Sequence, residues 1–235
     1  MVKLIKLEYQ KHHILKYIRN ASILIFVLVC FNFAMTYLGI ANDPDTGVPD
    51  KAFSSLGVSS NVELLTGISF LIFAAVMHGT FIISTKKNRT MELMFSYPID
   101  RRKILAAQMA AVCIFCFLGL TAAKLACYCS IELGSGFWGN PAFPMDVSLS
   151  DPYFYGKMLL QSASTVCVSL IALMIGLKMN SSKMAIISSF LLILFMQGNI
   201  GGASLRENIL MPIILTFFSF IAAGMCFIGI EKKDL

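Results

Sequence analysis

The side chains best suited to chemistry in this chain of 235 residues are its three histidines and seven cysteines. His12, His13 and His78 do not converge by spacing, so they do not predict a zinc site. Cys113 and Cys116 form a C-x-x-C pair, but a redox pair needs a strand-to-helix turn and access to solvent. All seven cysteines fall within apolar runs, which favours small packing residues over a disulfide framework or a redox centre.

Motifs for hydrolysis are absent from the sequence. It contains no G-x-x-x-x-G-K-[S/T] loop for nucleotide phosphates, no H-E-x-x-H pair for zinc and no G-x-S-x-G nucleophile elbow. We therefore predict that the chain is not an enzyme, with no catalytic residue, metal or cofactor of its own. An intramembrane enzyme is the least favoured class, since no nucleophile–base or metal constellation is visible.

Composition points to lipid as the solvent. Hydrophobic residues make up 57% of the chain, charged residues 14%, and the mean hydropathy is +0.76. A soluble domain of this size could not hide so much apolar surface. The net charge of +6 does not predict nucleic-acid binding, because the basic residues sit at the ends of apolar runs.

Six apolar runs are long enough to cross about 30 Å of hydrocarbon, which takes about 20 helical residues. They cover residues 21–41, 64–85, 104–131, 156–177, 184–203 and 209–230. The sequence thus predicts an all-α polytopic membrane protein that forms one domain over residues 1–235. The third run is too long to cross upright, so it must tilt or project beyond the bilayer. The fifth run is expected either to cross as one helix or to be broken around Gly198–Gly202. The outer segments 42–63 and 132–155 are rich in glycine, proline and acidic or aromatic residues, which predicts ordered turns.

Lysine and arginine predict the orientation of these spans. Fifteen of the nineteen basic residues flank one side, three flank the other, and Lys124 lies within a span. By the positive-inside rule both termini are cytosolic. Residues 1–20 have a basic amphipathic pattern that predicts an interfacial helix before the first span. Anchoring in the inner interface is the favoured role of this helix, and bracing a neighbouring span is the alternative.

Polar side chains within the spans are few. Those that could line a pathway are Asn32, His78, Lys124, Gln197 and Asn199. For each there is a plainer role. Lys124 is expected to extend its stem to the outer interface, and the others are expected to form hydrogen bonds between helices. No Asp or Glu lies well inside a span, which argues against an ion-coupled carrier.

The loop 86–103 is unusual for a connection between two spans. Apolar residues and a proline are enclosed by basic flanks in the sequence KKNRTMELMFSYPIDRRK. Thr90 is placed to cap a short helix, and Pro98 ends it. Either a cytosolic partner binds this helix, or the helix rests on lipid. The candidate contact residues are Met91, Glu92, Leu93, Met94, Phe95, Tyr97, Pro98, Ile99, Arg101 and Arg102.

The topology and the stretch E-L-M-F-S-Y-P-I-D-R-R-K-I-L together resemble the membrane subunit of a type-two ABC exporter. In that family a coupling helix lies between spans two and three, and its pattern matches Glu92, Leu93, Pro98, Ile99 and Arg101 here. The resemblance implies a permease of the bacterial cell membrane that pairs with a second permease subunit, the same or related. It also implies two cytosolic ATPase subunits, which bind the ATP and Mg²⁺.

The cargo is left open by the sequence. The short outer loops are similar to those of permeases that export antimicrobial peptides or confer immunity to them, which suggests an amphipathic peptide. Small drugs and lipids are alternatives. A different class is a non-transporting immunity or sensory protein that binds a peptide at its outer face. Such a protein would need no nucleotide.

Overall fold

The computed structural model describes residues 2–11, 14–37, 58–87, 101–138, 151–197, 199–200, 203–204 and 210–231. These residues are helical except for one very short hairpin and the turns, so the predicted all-α class is confirmed. The elements are α1 Val2–Lys11, α2 Ile14–Tyr37, α3 Val58–His78, a π-helix Gly79–Ile83, α4 Ser84–Lys87, α5 Arg101–Trp138, α6 Pro152–Lys178, α7 Ser182–Gln197, β1 Asn199–Ile200, β2 Ala203–Ser204 and α8 Leu210–Glu231.

Four helical segments are long and apolar enough to cross a membrane: Ile14–Thr36, Ser59–Ile83, Lys103–Gly134 and Pro152–Lys178. Two further apolar stretches, Ser182–Ile193 and Ile213–Cys226, are shorter within the described residues. Wide apolar faces remain exposed on several of these helices. Such faces are stable in hydrocarbon and costly in water, so the chain has the character of a membrane protein.

Helix α5 is the longest element. Its 38 residues extend from Arg101 to Trp138, which is about 57 Å at 1.5 Å per residue. The prediction of a third span too long to cross upright is confirmed. The prediction of turns is wrong for residues 132–138, because the helix continues through the glycines at 134 and 136. Residues 42–57 and 139–150 of the predicted outer segments lie outside the described residues. The turns predicted for 58–63 and 152–155 are likewise helical, in α3 and α6.

The fifth apolar run is not one continuous helix. Helix α7 ends at Gln197, and the antiparallel pair β1–β2 follows, with Asn199 opposite Ser204. Glycine permits the tight reversal of a hairpin that a helix cannot make, and two glycines, at 201 and 202, lie between the paired strands. The helix of the predicted span 184–203 is therefore shorter at its C-terminal end, where α7 stops at Gln197.

The N-terminal segment forms two helices rather than one over residues 1–20. Helix α1 ends at Lys11, and α2 begins at Ile14. Helix α1 packs on α5: the Gln108 amide nitrogen donates to Glu8 Oε1 at 3.2 Å, and the Tyr9 hydroxyl donates to the Ala111 carbonyl oxygen at 2.7 Å. Both Glu8 and Gln108 are buried. Bracing of a neighbouring span, the less favoured role in the sequence, is therefore what α1 does.

Burial affects the phenol in this contact. It raises the pKa of Tyr9 above the ordinary value of 10.0, so the hydroxyl remains a donor to Ala111 throughout the physiological range. The bracing contact is thus insensitive to ordinary changes of pH at this hydroxyl.

Helix α6 lies at the centre of the bundle and packs against α3, α5, α7 and α8. Small residues let its neighbours approach closely. Ser162, Ser169, Ala172 and Gly176 are all buried and recur at helical spacing. A Cβ added at Gly176 would lie 2.7 Å from the Ala185 Cβ on α7 and 2.6 Å from the Ile83 side chain. Small interfacial residues of this kind drive helix association where the hydrophobic effect cannot.

The bundle has two ends that can be distinguished by contacts. At the end where α3 leads through α4 into residues 88–100, Tyr17 of α2 packs on Phe81 with ring centroids 5.3 Å apart. The C-terminus of α6 and the start of α7 meet there as well. We call this the loop end. At the opposite end, the rings of Tyr128 and Phe154 are 5.0 Å apart.

Replacement of Gly176 by alanine is expected to destabilise the bundle by about 1–3 kcal/mol, because the new methyl overpacks the contact with Ala185. Denaturant titration in detergent micelles measures this change. The matched control is Gly156→Ala in the same helix, where an added Cβ meets nothing within 4 Å. That change should be neutral or stabilising by up to about 1 kcal/mol. Equal effects of the two changes would show that the α6–α7 approach is not tight.

Candidate functional site

The π-helix Gly79–Ile83 interrupts a long apolar helix at the loop end. Its closing hydrogen bond joins the Ser84 N–H to the Gly79 carbonyl oxygen, five residues back. Gly79, Phe81, Ile82 and Ile83 are buried. Short π-helices inside α-helices often mark functional sites, since the extra residue weakens the regular ladder and re-aims the side chains. We therefore built the candidate site outward from this segment.

His78 directly precedes the π-helix and is fully buried. Its Nε2 lies 3.2 Å from the Ser169 hydroxyl of α6. That hydroxyl donates its own proton to the Val166 carbonyl oxygen at 2.6 Å, so the ring nitrogen must be the donor. In this arrangement His78 therefore carries a proton on Nε2. Its Nδ1 is buried and has no hydrogen-bond partner among the described residues.

Helix α7 contacts the first residue of the π-helix. The Ser182 hydroxyl donates to the Gly79 carbonyl oxygen at 3.3 Å. A Cβ at Gly79 would lie 3.0 Å from the Ser182 Cβ, so the glycine is what allows the two backbones to come this close. The Gly79 carbonyl oxygen thus accepts two hydrogen bonds, one from the Ser84 N–H and one from the Ser182 hydroxyl. The second bond adds to the backbone bond of the π-helix.

Helix α2 contacts the next two residues. The Tyr17 hydroxyl lies 3.1 Å from the Thr80 Oγ1, and the Tyr17 ring meets Phe81 edge to face. Thr80 itself donates to backbone carbonyl oxygens one turn earlier, so Tyr17 is the donor in this pair. An edge-to-face aromatic pair adds about 0.5–1.5 kcal/mol beyond burial.

These contacts make the π-helix a junction of four helices. Beside α2, α6 and α7, helix α5 contacts it through the preceding turn, where Cys116 Sγ lies 4.0 Å from Met77 Sδ. We call this set the π-helix hub; its members are Tyr17, Met77–Ile83, Cys116, Ser169, Gly176 and Ser182. The hub holds few acid–base groups and suits mechanical coupling better than catalysis.

The predicted coupling residues Met91, Glu92, Leu93, Met94, Phe95, Tyr97, Pro98 and Ile99 lie outside the described residues. Arg101 and Arg102 are the first two residues of α5. The segment 88–100 therefore connects two described parts of the chain. On one side it follows α4, which continues from the hub, and on the other it leads into the start of α5, the helix that α1 braces.

Of the residues predicted to line a pathway, His78 and Asn32 lie in different parts of the bundle. His78 lies at the loop end, whereas the Asn32 amide nitrogen donates to the Leu28 carbonyl oxygen at 2.9 Å and lies 3.8 Å from Cys127 Sγ. Both residues thus hold helices together, as the plainer interpretation predicted. Gln197 is the last residue of α7, and Asn199 belongs to β1; their side chains lie outside the described part of the chain.

The expectation that Lys124 reaches the outer interface is wrong. Its side chain is only 1% exposed and has interaction partners within the fold. Helix α5 continues to Trp138, about 21 Å beyond it at 1.5 Å per residue. The contact between Tyr128 and Ser59 places Lys124 beside the first turns of α3, so it lies inside the bundle.

Sequence patterns did not reveal Tyr17, Ser169 or Ser182 as members of the hub. Nothing in the local sequence distinguishes these side chains from the many other hydroxyls in the spans. Gly79 beside His78 is the one local signal, since glycine inside a helical run often has a packing reason. Among the described residues, no group of three or more His, Cys, Asp or Glu side chains could hold a metal ion.

No family model matches this chain, and no solved structure matches it. The chain is similar to an uncharacterized protein of Bacillus subtilis (strain 168) named YcbO. The two are 25% identical over 244 residues, which covers 99% of this chain and 100% of YcbO. The similarity therefore extends from end to end, and it brings no activity with it.

Ser169→Ala should destabilise the protein by about 1–3 kcal/mol, because it leaves the buried His78 Nε2–H without an acceptor. Ser164→Ala is the matched control: Ser164 is equally buried on α6, but its hydroxyl only bonds the Gln161 carbonyl oxygen of its own helix. This control should change little. Denaturant titration of both variants in micelles measures the difference.

The double variant His78→Leu with Ser169→Ala should recover part of the loss, since both polar partners are then removed. A Ser169→Ala protein as stable as the Ser164→Ala protein would refute the His78–Ser169 hydrogen bond.

Proposed function

We propose that this chain is the membrane subunit of an ATP-driven exporter of the ABC type. In this proposal it has six spans, with the loop end and both termini in the cytosol. It forms the translocation path together with a second permease subunit, the same or related. Two separate ATPase subunits supply the energy through ATP and Mg²⁺. An amphipathic, antimicrobial-type peptide is the proposed cargo.

The observation that carries the proposal is where the loop 86–103 is attached. The loop leaves the bundle directly after the π-helix hub and re-enters at Arg101, the start of α5. A force on the loop would therefore act on a segment that contacts α2, α6 and α7, and on a helix that α1 braces. Few points in the described structure touch so many helices at once.

The mechanism uses the difference between two arrangements of the helices. ATP can change the arrangement only if the ATPase binds one of them more tightly than the other. In the proposal, Glu92, Phe95 and Arg101 belong to the bound surface, and the π-helix is the element that changes. A π-helix and an α-helix differ by one residue in hydrogen-bond register, so the helix can shift without losing most of its bonds.

The orientation has its own test. A single reporter cysteine at Lys178, which is exposed at the end of α6, should react with an impermeant maleimide only after the cells are opened. A cysteine at Lys157, near the start of the same helix, should react in intact cells. Both are introduced in a cysteine-free background. The reverse pattern would contradict the proposed topology and with it the docking of a cytosolic ATPase.

The energy source is tested by purification from native membranes in mild detergent. We expect an ABC ATPase to purify with the chain, and we expect candidate peptides to stimulate its ATP hydrolysis. Glu92→Arg should lower this stimulation by about tenfold or more, since it reverses a charge at a docking surface. Lys157→Glu reverses a charge at the opposite end of the bundle and serves as the control, with stimulation unchanged.

The exporter proposal fails if no ATPase purifies with the chain and if the Glu92→Arg protein protects cells against a candidate antimicrobial peptide as well as the native protein does. Protection that needs no nucleotide would instead fit a membrane immunity protein that sequesters its peptide.

A further inference from the structure

The start of α2 carries an exposed surface that mixes apolar and basic side chains. Leu15 is 77% exposed and Ile18 is 45% exposed. Lys16 and Arg19 are exposed beside them. Within the described residues, neither of these two cations has an ion-pair or hydrogen-bond partner. We call Leu15, Lys16, Ile18 and Arg19 the α2 patch.

Tyr17, in the middle of the α2 patch, shows which way the patch faces. Tyr17 turns inward, where it bonds Thr80 and packs on Phe81 of the hub. Ala21, one turn further along, is also buried. Because these residues face the bundle, Leu15, Ile18 and Arg19, which share one side of the helix by their spacing, must face away from it.

Helix stability does not explain the charges of the patch. The first turn of α2 contains no acidic residue, and cations near the N-terminus of a helix are opposed by the helix dipole. Lys16, in that first turn, therefore costs the isolated helix free energy, whereas Arg19 lies beyond the turn over which the dipole acts. A compensating anion outside the described residues would offset that cost.

Apolar and basic residues together identify the partner as a lipid surface. The patch occupies the first turns of the apolar segment Ile14–Thr36, at the loop end of the bundle, where the hydrocarbon of a bilayer would meet its headgroups. Leucine and isoleucine bury in the acyl boundary, and the basic side chains attract anionic headgroups. A soluble anion would leave Leu15 and Ile18 in water.

We infer that the α2 patch binds anionic phospholipid and holds a local excess of it against the back of the π-helix hub. The lipid headgroups contact Lys16 and Arg19, and Tyr17 between them contacts the hub. This inference rests on neither the ATPase nor the cargo.

The test is fluorescence quenching by brominated lipid. Trp138, the single tryptophan, is replaced by Phe, and Leu15→Trp supplies a probe in the α2 patch. The protein is reconstituted in vesicles that contain equal amounts of phosphatidylglycerol and phosphatidylcholine. In one preparation only the phosphatidylglycerol is brominated, and in the other only the phosphatidylcholine. Surface charge is then identical in both preparations.

We expect brominated phosphatidylglycerol to quench the Leu15→Trp probe about fivefold more effectively at low salt, given the attraction of each basic residue for an anionic leaflet. High salt should reduce this preference for phosphatidylglycerol, and the combined changes Lys16→Gln and Arg19→Gln should reduce it as well. The control is Phe217→Trp on α8, which is 67% exposed on a helix without lysine or arginine. The two lipids should quench that probe equally.

Three results would overturn the inference. The first is equal quenching of the Leu15→Trp probe by the two lipids. The second is a preference that persists in the Lys16→Gln, Arg19→Gln protein while the Phe217→Trp control stays unchanged. The third is a Leu15→Trp probe that neither lipid quenches, which would mean that protein covers the patch.

Discussion

Buried polar groups in this bundle depend on the chain itself for hydrogen bonds, because hydrocarbon offers none and an unsatisfied group costs several kcal/mol. Among the described residues, His78 Nδ1 and Gln108 Oε1 are buried without such a bond. Most buried hydroxyls meet this constraint locally. Ser162 and Thr66, for example, donate to carbonyl oxygens one turn back in their own helices. Groups that cannot do so must reach another helix, and these are the groups that fix how the helices are arranged.

The imidazole of His78 and the carbonyl of Gly79, which also accepts from the Ser84 N–H of its own helix, both form bonds to another helix. The first needs Ser169 on α6, and the second recruits Ser182 on α7. Both needs arise at the π-helix, where the regular ladder is interrupted. The interruption therefore places these interhelical bonds at the loop end, where they connect the π-helix to α6 and α7.

The same constraint operates where α1 meets α5. Glu8 and Gln108 are both buried, and they bond each other. A carboxylate in a basic amphipathic helix would be expected to face water, yet here it faces a neighbouring helix. This is why α1 braces the bundle instead of only resting on lipid.

The helices could be predicted from hydropathy, because long apolar runs leave the chain few alternatives. Their ends could be predicted less well. Residues 132–138 look like a turn, since glycines occur there, but the helix continues because its existing turns support each added bond. The end of the fifth run was predicted better: a break around residues 198–202 was one of the two expectations, and α7 ends at Gln197, directly before them.

Of the hub, the sequence indicated only His78, for which a hydrogen bond between helices was expected, and Gly79 beside it. Ser169 and Ser182 matter because of what lies across from them, and Tyr17 matters because α2 starts seven residues earlier than hydropathy indicated. Lys124 shows the same limit. Its burial depends on the lateral packing of α3 and α5, and single-chain periodicity contains no information about which neighbour covers a given residue.

Helix α7 has a consequence for the membrane around it. Its 16 residues extend about 24 Å, several ångströms less than the hydrocarbon of an average bilayer. Ile187, Phe190 and Leu191 are exposed along it. If α7 crosses the bilayer, as the proposed topology requires, the two leaflets must become thinner to match these side chains. The bilayer would then be deformed along the flank that α7 forms. The protein would therefore gather shorter lipids there, and it would be drawn toward thin regions of a membrane of mixed thickness.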